Sequence, residues 1–95
     1  MKFLNTYTRL EIFCNAISSR RRIKILNIIY EEKNISLEKI AELLPTNKQN
    51  ASLHTYKLLH QGLIAKRKNG LITEHIITQR GKKVLSFIKS IDKTL

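Results

Sequence analysis

The sequence is poor in the residue types that build disulfides, metal clusters and catalytic acid–base groups. Its 95 residues contain one cysteine, one proline, three glycines and no tryptophan. The single cysteine, Cys14, excludes an internal disulfide and a thiolate metal cluster. Aspartate occurs once, at Asp92, and no glycine-rich phosphate loop is present. We therefore expect no catalytic residues and no cofactor, and the chain is not expected to be an enzyme.

Long apolar runs are also missing. No stretch approaches the roughly 18–20 apolar residues that a membrane span requires. The opening Met-Lys-Phe-Leu is followed at once by polar residues, unlike a secretory signal. The sequence therefore predicts one cytoplasmic domain over residues 1–95, with no membrane association.

Acidic residues are scarce relative to basic ones. The 18 lysines and arginines against 7 acidic residues give a net charge of +11 and a pI near 10.2. Such an excess indicates a polyanionic partner, with nucleic acid ahead of an anionic membrane surface.

Hydrophobic spacing predicts five helices, over residues 4–17, 20–32, 37–44, 47–62 and 79–93. Predicted N-caps are Ser18 or Ser19, Ser36, Thr46 and Thr78, with Gln49 completing a capping box. Ile35 is expected to form a strand of one or two residues. In the 37–44 helix, Ile40, Leu43 and Leu44 are expected to face inward, and in the 20–32 helix the inward stripe includes Tyr30.

The helix over 47–62 has two contrasting faces. Its inward face is predicted to comprise Ala51, Thr55, Leu58, Leu59 and Gly62. Its outward face comprises Gln49, Asn50, Leu53, Tyr56, Lys57 and His60, and the helix contains no acidic residue. An amide-rich, acid-free face suits the major groove of DNA, and the turn at 45–47 completes a helix-turn-helix. The alternative is an ordinary amphipathic surface helix.

Beyond Gly62 the hydrophobic period changes from helical to extended. Two branched-rich runs, 63–68 and 71–78, flank Asn69-Gly70, a strong hairpin signal. A turn at these two residues would pair Lys68 with Leu71. The predicted fold is mainly α with a small β-hairpin (α+β).

Four segments resemble ArsR- and MarR-type winged-helix regulators, in the order that those families show. Residues 15–26 (NAISSRRRIKIL) resemble the segment that opens the second helix of ArsR-type repressors, and residues 35–44 their third helix. Residues 58–64 (LLHQGLI) are similar to the junction between recognition helix and wing, and residues 77–85 (ITQRGKKVL) to the segment after the wing. The resemblance implies a winged helix-turn-helix fold and transcriptional regulation through DNA binding.

Two departures from those families bear on function. ArsR-type metal sensors carry cysteines on the third helix or Asp/His pairs on the last one, whereas here the last helix has only Asp92, so no metal is expected. His54, His60 and His75 lack metal-ligand spacing. Leu53 stands where relatives often have arginine or histidine, which favours contact with a thymine methyl or a less sequence-specific surface.

The predicted DNA contacts fall in three groups. They are Asn47, Lys48, Gln49, Asn50, Ser52, Leu53, Tyr56 and Lys57 on the recognition helix, Lys66, Arg67 and Lys68 on the wing, and Arg20 and Arg21 on the second helix. Gln49 and Asn50 suit adenine, and the cations suit phosphates. The alternatives are a solubilising hairpin and, for the 20–22 arginines, an ion pair with Glu11 or a structural role.

The terminal helices are predicted to form a homodimer, because the apolar stripe of the last helix follows an already complete core and needs a partner: the first helix or its own copy. The expected interface residues are Tyr7, Leu10, Cys14, Ile17, Val84, Phe87, Ile88 and Ile91. Cys14 is interpreted as a small core hydrophobe, with a disulfide across the two-fold axis as the alternative.

The sequence thus favours sequence-specific binding of double-stranded DNA by a homodimeric transcriptional regulator. Two alternatives are a non-specific architectural DNA-binding protein and a winged-helix module that binds another protein.

Overall fold

The computed structural model describes residues 5–95, which form five helices and three strands. In order these are α1 (Thr6–Ile17), α2 (Arg20–Glu32), β1 (Ile35–Ser36), α3 (Leu37–Leu43), α4 (Lys48–His60), β2 (Ile64–Asn69), β3 (Ile72–Ile77) and α5 (Gln79–Asp92). The predicted fold class and element order are confirmed. The predicted start of the first helix, at residue 4, lies outside the described residues.

Side-chain caps set where the helices begin. Ser19, Ser36 and Thr78 cap α2, α3 and α5 as predicted. The predicted capping box at Thr46 is wrong, because the Oδ1 atom of Asn47 accepts the amide of Asn50 at 2.8 Å. Asparagine is the better N-cap residue, so α4 begins one residue later than a threonine cap would allow.

The strands form one antiparallel sheet in the order β1-β3-β2. The predicted pairing of Lys68 with Leu71 is wrong: Asn69 pairs with Ile72 and Lys68 with Thr73. Gly70 and Leu71 therefore make the turn, and Gly70 has a φ of 67°. A two-residue turn with glycine first needs a positive φ at that residue alone, whereas a turn at Asn69-Gly70 of type I′ needs one at both.

The core gathers around α2. Ile25, Leu26 and Ile29 are fully buried, and they pack with residues of α3, α4 and β2 that include Ile40 and Leu58. Burying aliphatic side chains of this size is worth about 1.5–3 kcal/mol each, so α2 supplies much of the apolar stabilisation.

Two residues predicted to face inward do not. Leu43 is 42% exposed, because the inward line of α3 runs through Ile40 to Leu44, four residues apart, and leaves Leu43 to one side. Tyr30, 45% exposed, lies at the edge of α2 beneath the amine of Lys89.

The start of α5 is fastened to the end of α4 and to the hairpin. The Thr78 hydroxyl donates to the Gly62 carbonyl at 2.7 Å, and the Thr78 amide donates to the Leu63 carbonyl at 3.1 Å. Gly81 lies directly against that Leu63 carbonyl, where a Cβ atom would overlap the oxygen. Among residues 5–95, no helix has the length and hydropathy to cross a bilayer.

His75 is buried in the sheet opposite Ile35, and its Nδ1 atom lies 3.3 Å from the Ile35 carbonyl oxygen. Burial is the main cause that lowers the pKa of His75, and the nearby Lys66 adds to it, while the hydrogen bond to Ile35 partly opposes them. A neutral imidazole therefore donates Nδ1–H to β1 and ties it to β3.

Gly81→Ala should lower the free energy of unfolding by about 1–3 kcal/mol, because the methyl group must displace β2 or α5. Alanine would otherwise favour a helix over glycine by about 1 kcal/mol. Urea unfolding measures the change, and the exposed Ser86→Ala in the same helix is the control, expected within about 0.5 kcal/mol of wild type. Equal or greater stability of Gly81→Ala would contradict this packing.

Acidification should destabilise the fold through His75. Because its pKa is lowered in the folded state, the unfolded chain takes up the proton more readily. The stabilisation is complete above the ordinary pKa of about 6.5 and declines as the pH falls below it. His75→Gln should lose less stability than wild type between about pH 7.5 and about pH 5, whereas the exposed His60→Gln should follow wild type. Identical pH dependence of all three proteins would refute this role.

Candidate nucleic-acid interface

The two faces of α4 are as the sequence predicted except at Gly62, which was expected to face inward but is exposed and lies beyond His60, where the helix ends. Ala51, Thr55 and Leu58 are buried against the core. The outward side chains are exposed: Gln49, Asn50, Leu53, Tyr56, Lys57 and His60. The exposed fractions of Leu53 and Tyr56 reach 64% and 61%, and the rings of Tyr56 and His60 stack with centroids 5.7 Å apart. The helix therefore presents amides, one aromatic pair and one aliphatic side chain.

The first turn of α4 is organised by local contacts. Asn47 caps the helix, so its oxygen is already engaged, and the Nδ2 atom of Asn50 donates to the Thr46 hydroxyl at 3.3 Å. The Nζ atom of Lys48 lies 3.2 Å from a Glu38 carboxylate oxygen. A backbone hydrogen bond, and next Lys48, lower the pKa of Glu38. Because this ion pair is exposed, a phosphate can replace the carboxylate at little cost.

The wing cations project from opposite faces of the hairpin. Lys66 and Lys68 alternate with Arg67 along β2, so they share a face that Arg67 does not. Lys66 lines a groove of about 370 Å³ between wing and recognition helix, together with Lys48 and Ser52. The structure thus brings two predicted cations and a hydroxyl to one groove.

Arg67 is engaged on the other side of the hairpin. Its Nη2 atom donates to the Asn34 side-chain oxygen at 2.7 Å and lies 4.0 Å from a Glu74 carboxylate oxygen. Of the three predicted wing contacts, it is the one that lies away from α4.

The three arginines at the start of α2 divide into two kinds. Arg20 and Arg21 are exposed, as phosphate contact requires. Arg22 is 9% exposed, and its guanidinium donates to the Ala16 carbonyl at 2.6 Å and to the Asn15 carbonyl at 2.9 Å. The structural alternative therefore holds for Arg22, whose partners are the last carbonyls of α1.

Arg22 also meets the recognition helix. Its Nη1 atom lies 3.2 Å from Nδ1 of His54. Burial, followed by the charges of Arg22, Arg21 and Lys57, lowers the pKa of His54, so its ring is a neutral acceptor for Arg22. The sequence did not predict this contact, since nothing in residue spacing reveals a partner 32 residues away.

The residues predicted to form a dimer lie on α1 and α5. Tyr7, Leu10, Phe87 and Ile91 are 82%, 51%, 63% and 41% exposed. Ile17 and Val84 pack against the core, and Ile88 is half-buried. Cys14 is exposed, so its interpretation as a core hydrophobe is wrong.

A groove of about 780 Å³ separates α1 from α5. It is lined by Leu10, Phe13 and Val84, with the guanidinium of Arg80 held 5.7 Å from the centre of the Phe13 ring. Arg80 also donates from Nε to the Gln61 carbonyl at 2.9 Å, which ties α5 to the end of α4. Within residues 5–95, no three His, Cys, Asp or Glu side chains group as metal ligands would.

Solved structures share this fold. The transcriptional regulator SlyA is 26% identical with a TM-score of 0.70, and the match covers 77% of this chain and 54% of SlyA. A homodimeric winged helix-turn-helix DNA-binding domain from Mycobacterium bovis is 19% identical with a TM-score of 0.79, covering 98% of this chain and 91% of that one. NolR from Sinorhizobium fredii is 20% identical with a TM-score of 0.76, covering 96% of each chain.

This chain therefore spans about half the length of SlyA and nearly all of the other two proteins. No curated protein sequence matches it significantly. The MarR family model matches residues 19–70, from the cap of α2 to the tip of the wing. That span is more than half of the chain, so the chain belongs to the MarR family.

Proposed function

We propose that this chain is a cytoplasmic, homodimeric transcriptional regulator that binds double-stranded DNA sequence-specifically. The observation that carries the proposal is the exposed, acid-free face of α4, which shares a groove with Lys66 of the wing. In this docking α4 enters the major groove, while Lys66 and Lys68 lie over the backbone or the minor groove. Nothing in the site supports a catalytic role.

Base recognition would come from the first half of α4. The exposed amides of Gln49 and Asn50 suit bidentate pairing with adenine, and Leu53 suits the methyl group of thymine. Ser52, Tyr56 and Lys57 are placed to reach phosphates, as are Arg20 and Arg21 at the start of α2.

Dimerisation would use the exposed apolar residues of α1 and α5. The Mycobacterium bovis neighbour, which aligns over 98% of this chain, is homodimeric. A two-fold dimer would place its recognition helices in successive major grooves, with half-sites about 10 base pairs apart.

An architectural role without sequence preference is the second candidate. The net charge of +11 supports it, because phosphate contacts alone give affinity to any duplex. A protein-binding role is supported by the exposure of Leu53 and Tyr56 on α4.

Asn50→Ala should relax base preference at one position of the site by about 1–3 kcal/mol. Lys66→Gln/Lys68→Gln should instead weaken binding to all duplexes and lower the slope of log affinity against log salt by about 2, since each phosphate contact contributes about 0.9. Selection from random duplexes, followed by anisotropy titration, measures both changes. If Asn50→Ala leaves affinity and preference untouched, the docking of α4 is wrong.

Phe87→Glu should convert a dimer into a monomer, because it places a charge in the proposed apolar interface. Sedimentation equilibrium reports the mass. Leu71→Glu, at a fully exposed position of the wing tip, introduces the same charge and should leave the dimer intact. A monomeric wild type, or a dimeric Phe87→Glu, would rule out this interface.

A further inference from the structure

The positive charge is not confined to the proposed DNA interface. Residues 47–78, which include α4 and the wing, contain five basic residues and one acidic residue. Residues 79–95, which include α5, contain the same numbers. Apart from Arg20 and Arg21 of α2, the proposed DNA interface therefore carries no more excess charge than the last helix and its flanking residues do.

Two lysines of α5, together with Lys93, which caps the end of the helix in a helical conformation, form a row on one side of it. Lys82, Lys89 and Lys93 project within about 40° of one another at 100° per residue. The mean direction of Phe87 and Ile91 lies about 160° away from them. The lysines therefore remain accessible when the apolar stripe is covered by a second copy.

This row lies beside α2 and is partly ordered by it. Tyr30, Lys82, Ser86, Lys89 and Lys93 line a groove of about 460 Å³, which we call the α5 lysine surface. The amine of Lys89 is held 5.5 Å from the centre of the Tyr30 ring. None of these residues lines the groove between α4 and the wing.

The α5 lysine surface carries little compensating charge. Among residues 5–95, the ion pairs join Lys39 to Glu42, Lys48 to Glu38 and Arg67 to Glu74, and none involves α5. Uncompensated lysines in a row repel one another, and a polyanion relieves that repulsion.

We propose that the α5 lysine surface binds a second DNA duplex, so that one protein bridges two duplexes. Lys82 and Lys93 lie about 16 Å apart along the helix axis, at 1.5 Å per residue. One strand of B-DNA places about five phosphates over that length. Three amines that line one groove with Ser86 and Tyr30 suit a run of phosphate oxygens, because amines and hydroxyls are common phosphate-binding groups.

This inference rests on the proposed function, because α4 and the wing hold the first duplex. The test asks whether the full chain, bound to a duplex fixed on beads, captures a free fluorescent duplex. It is measured at about 0.1 M salt, where charges further apart than about 10 Å are screened, so that only close contacts contribute. Retention of protein on the beads is measured in parallel and reports binding of one duplex, whichever surface holds it.

Two variants remove the same charge from different surfaces. In the α5 variant, Lys82→Gln/Lys89→Gln/Lys93→Gln, retention on the beads should stay within about threefold of wild type. Capture of the second duplex should fall at least tenfold, which corresponds to a loss of about 1.4 kcal/mol or more of binding free energy. Lys57→Gln/Lys66→Gln/Lys68→Gln should instead lower retention itself, to the level that the α5 lysine surface alone supports. All six positions are exposed, and thermal unfolding verifies that both variants fold.

The outcomes separate the two proposals. Undiminished capture by the α5 variant would overturn the bridging inference while leaving the proposed function intact. If wild-type protein is retained on the beads but captures no free duplex, the bridging inference is overturned as well, and an acidic protein becomes the candidate ligand of the α5 lysine surface. Failure of wild type to be retained on the first duplex would contradict the proposed function itself.

Discussion

The buried guanidinium of Arg22 connects α1, α2 and α4, the helices on which the orientation of the proposed dimerisation and recognition surfaces depends. It belongs to α2, donates to the terminal carbonyls of α1 at Asn15 and Ala16, and meets His54 of α4. Carbonyls at a helix end lack partners within the helix, and a charged donor satisfies them strongly. The lowered pKa of His54 keeps its ring an acceptor for the same cation. One side chain thereby fixes the angle between the helix proposed for dimerisation and the helix proposed for recognition.

The proposed functions lie on three separate surfaces of the molecule. The α4 face and the wing lysines lie on one surface, the apolar residues of α1 and α5 on another, and the α5 lysine surface on a third. Gly81 and Thr78 pack the start of α5 against Leu63 and Gly62, just before β2, so the α5 residues of the second and third surfaces are attached to the sheet. Since basic residues lie on α2, on α4 and the wing, and on α5, net charge alone does not locate the interface.

Local sequence patterns predicted the helices and strands, but not which residues pair or make contact between them. The bounds of α2 follow from its apolar period and its cap at Ser19, and the two faces of α4 follow from helical spacing. The hairpin register could not be chosen from Asn69-Gly70 alone. Moving the turn by one residue, from Asn69-Gly70 to Gly70-Leu71, changes the pairing by two residues and therefore leaves every side chain on the same face of the sheet. The orientation of Arg67 and the burial of Arg22 depend on atoms of Asn34 and of α1, which sequence spacing does not bring together.

The most direct test is fluorescence anisotropy of a labelled random duplex and of a duplex from the protein's own upstream region, across a salt series. Binding through phosphates gives a linear fall of log affinity with log salt, about 0.9 per contact on duplex DNA. The account predicts a steep slope for both duplexes and tighter binding to the upstream duplex. Negligible binding to both at low salt would contradict it.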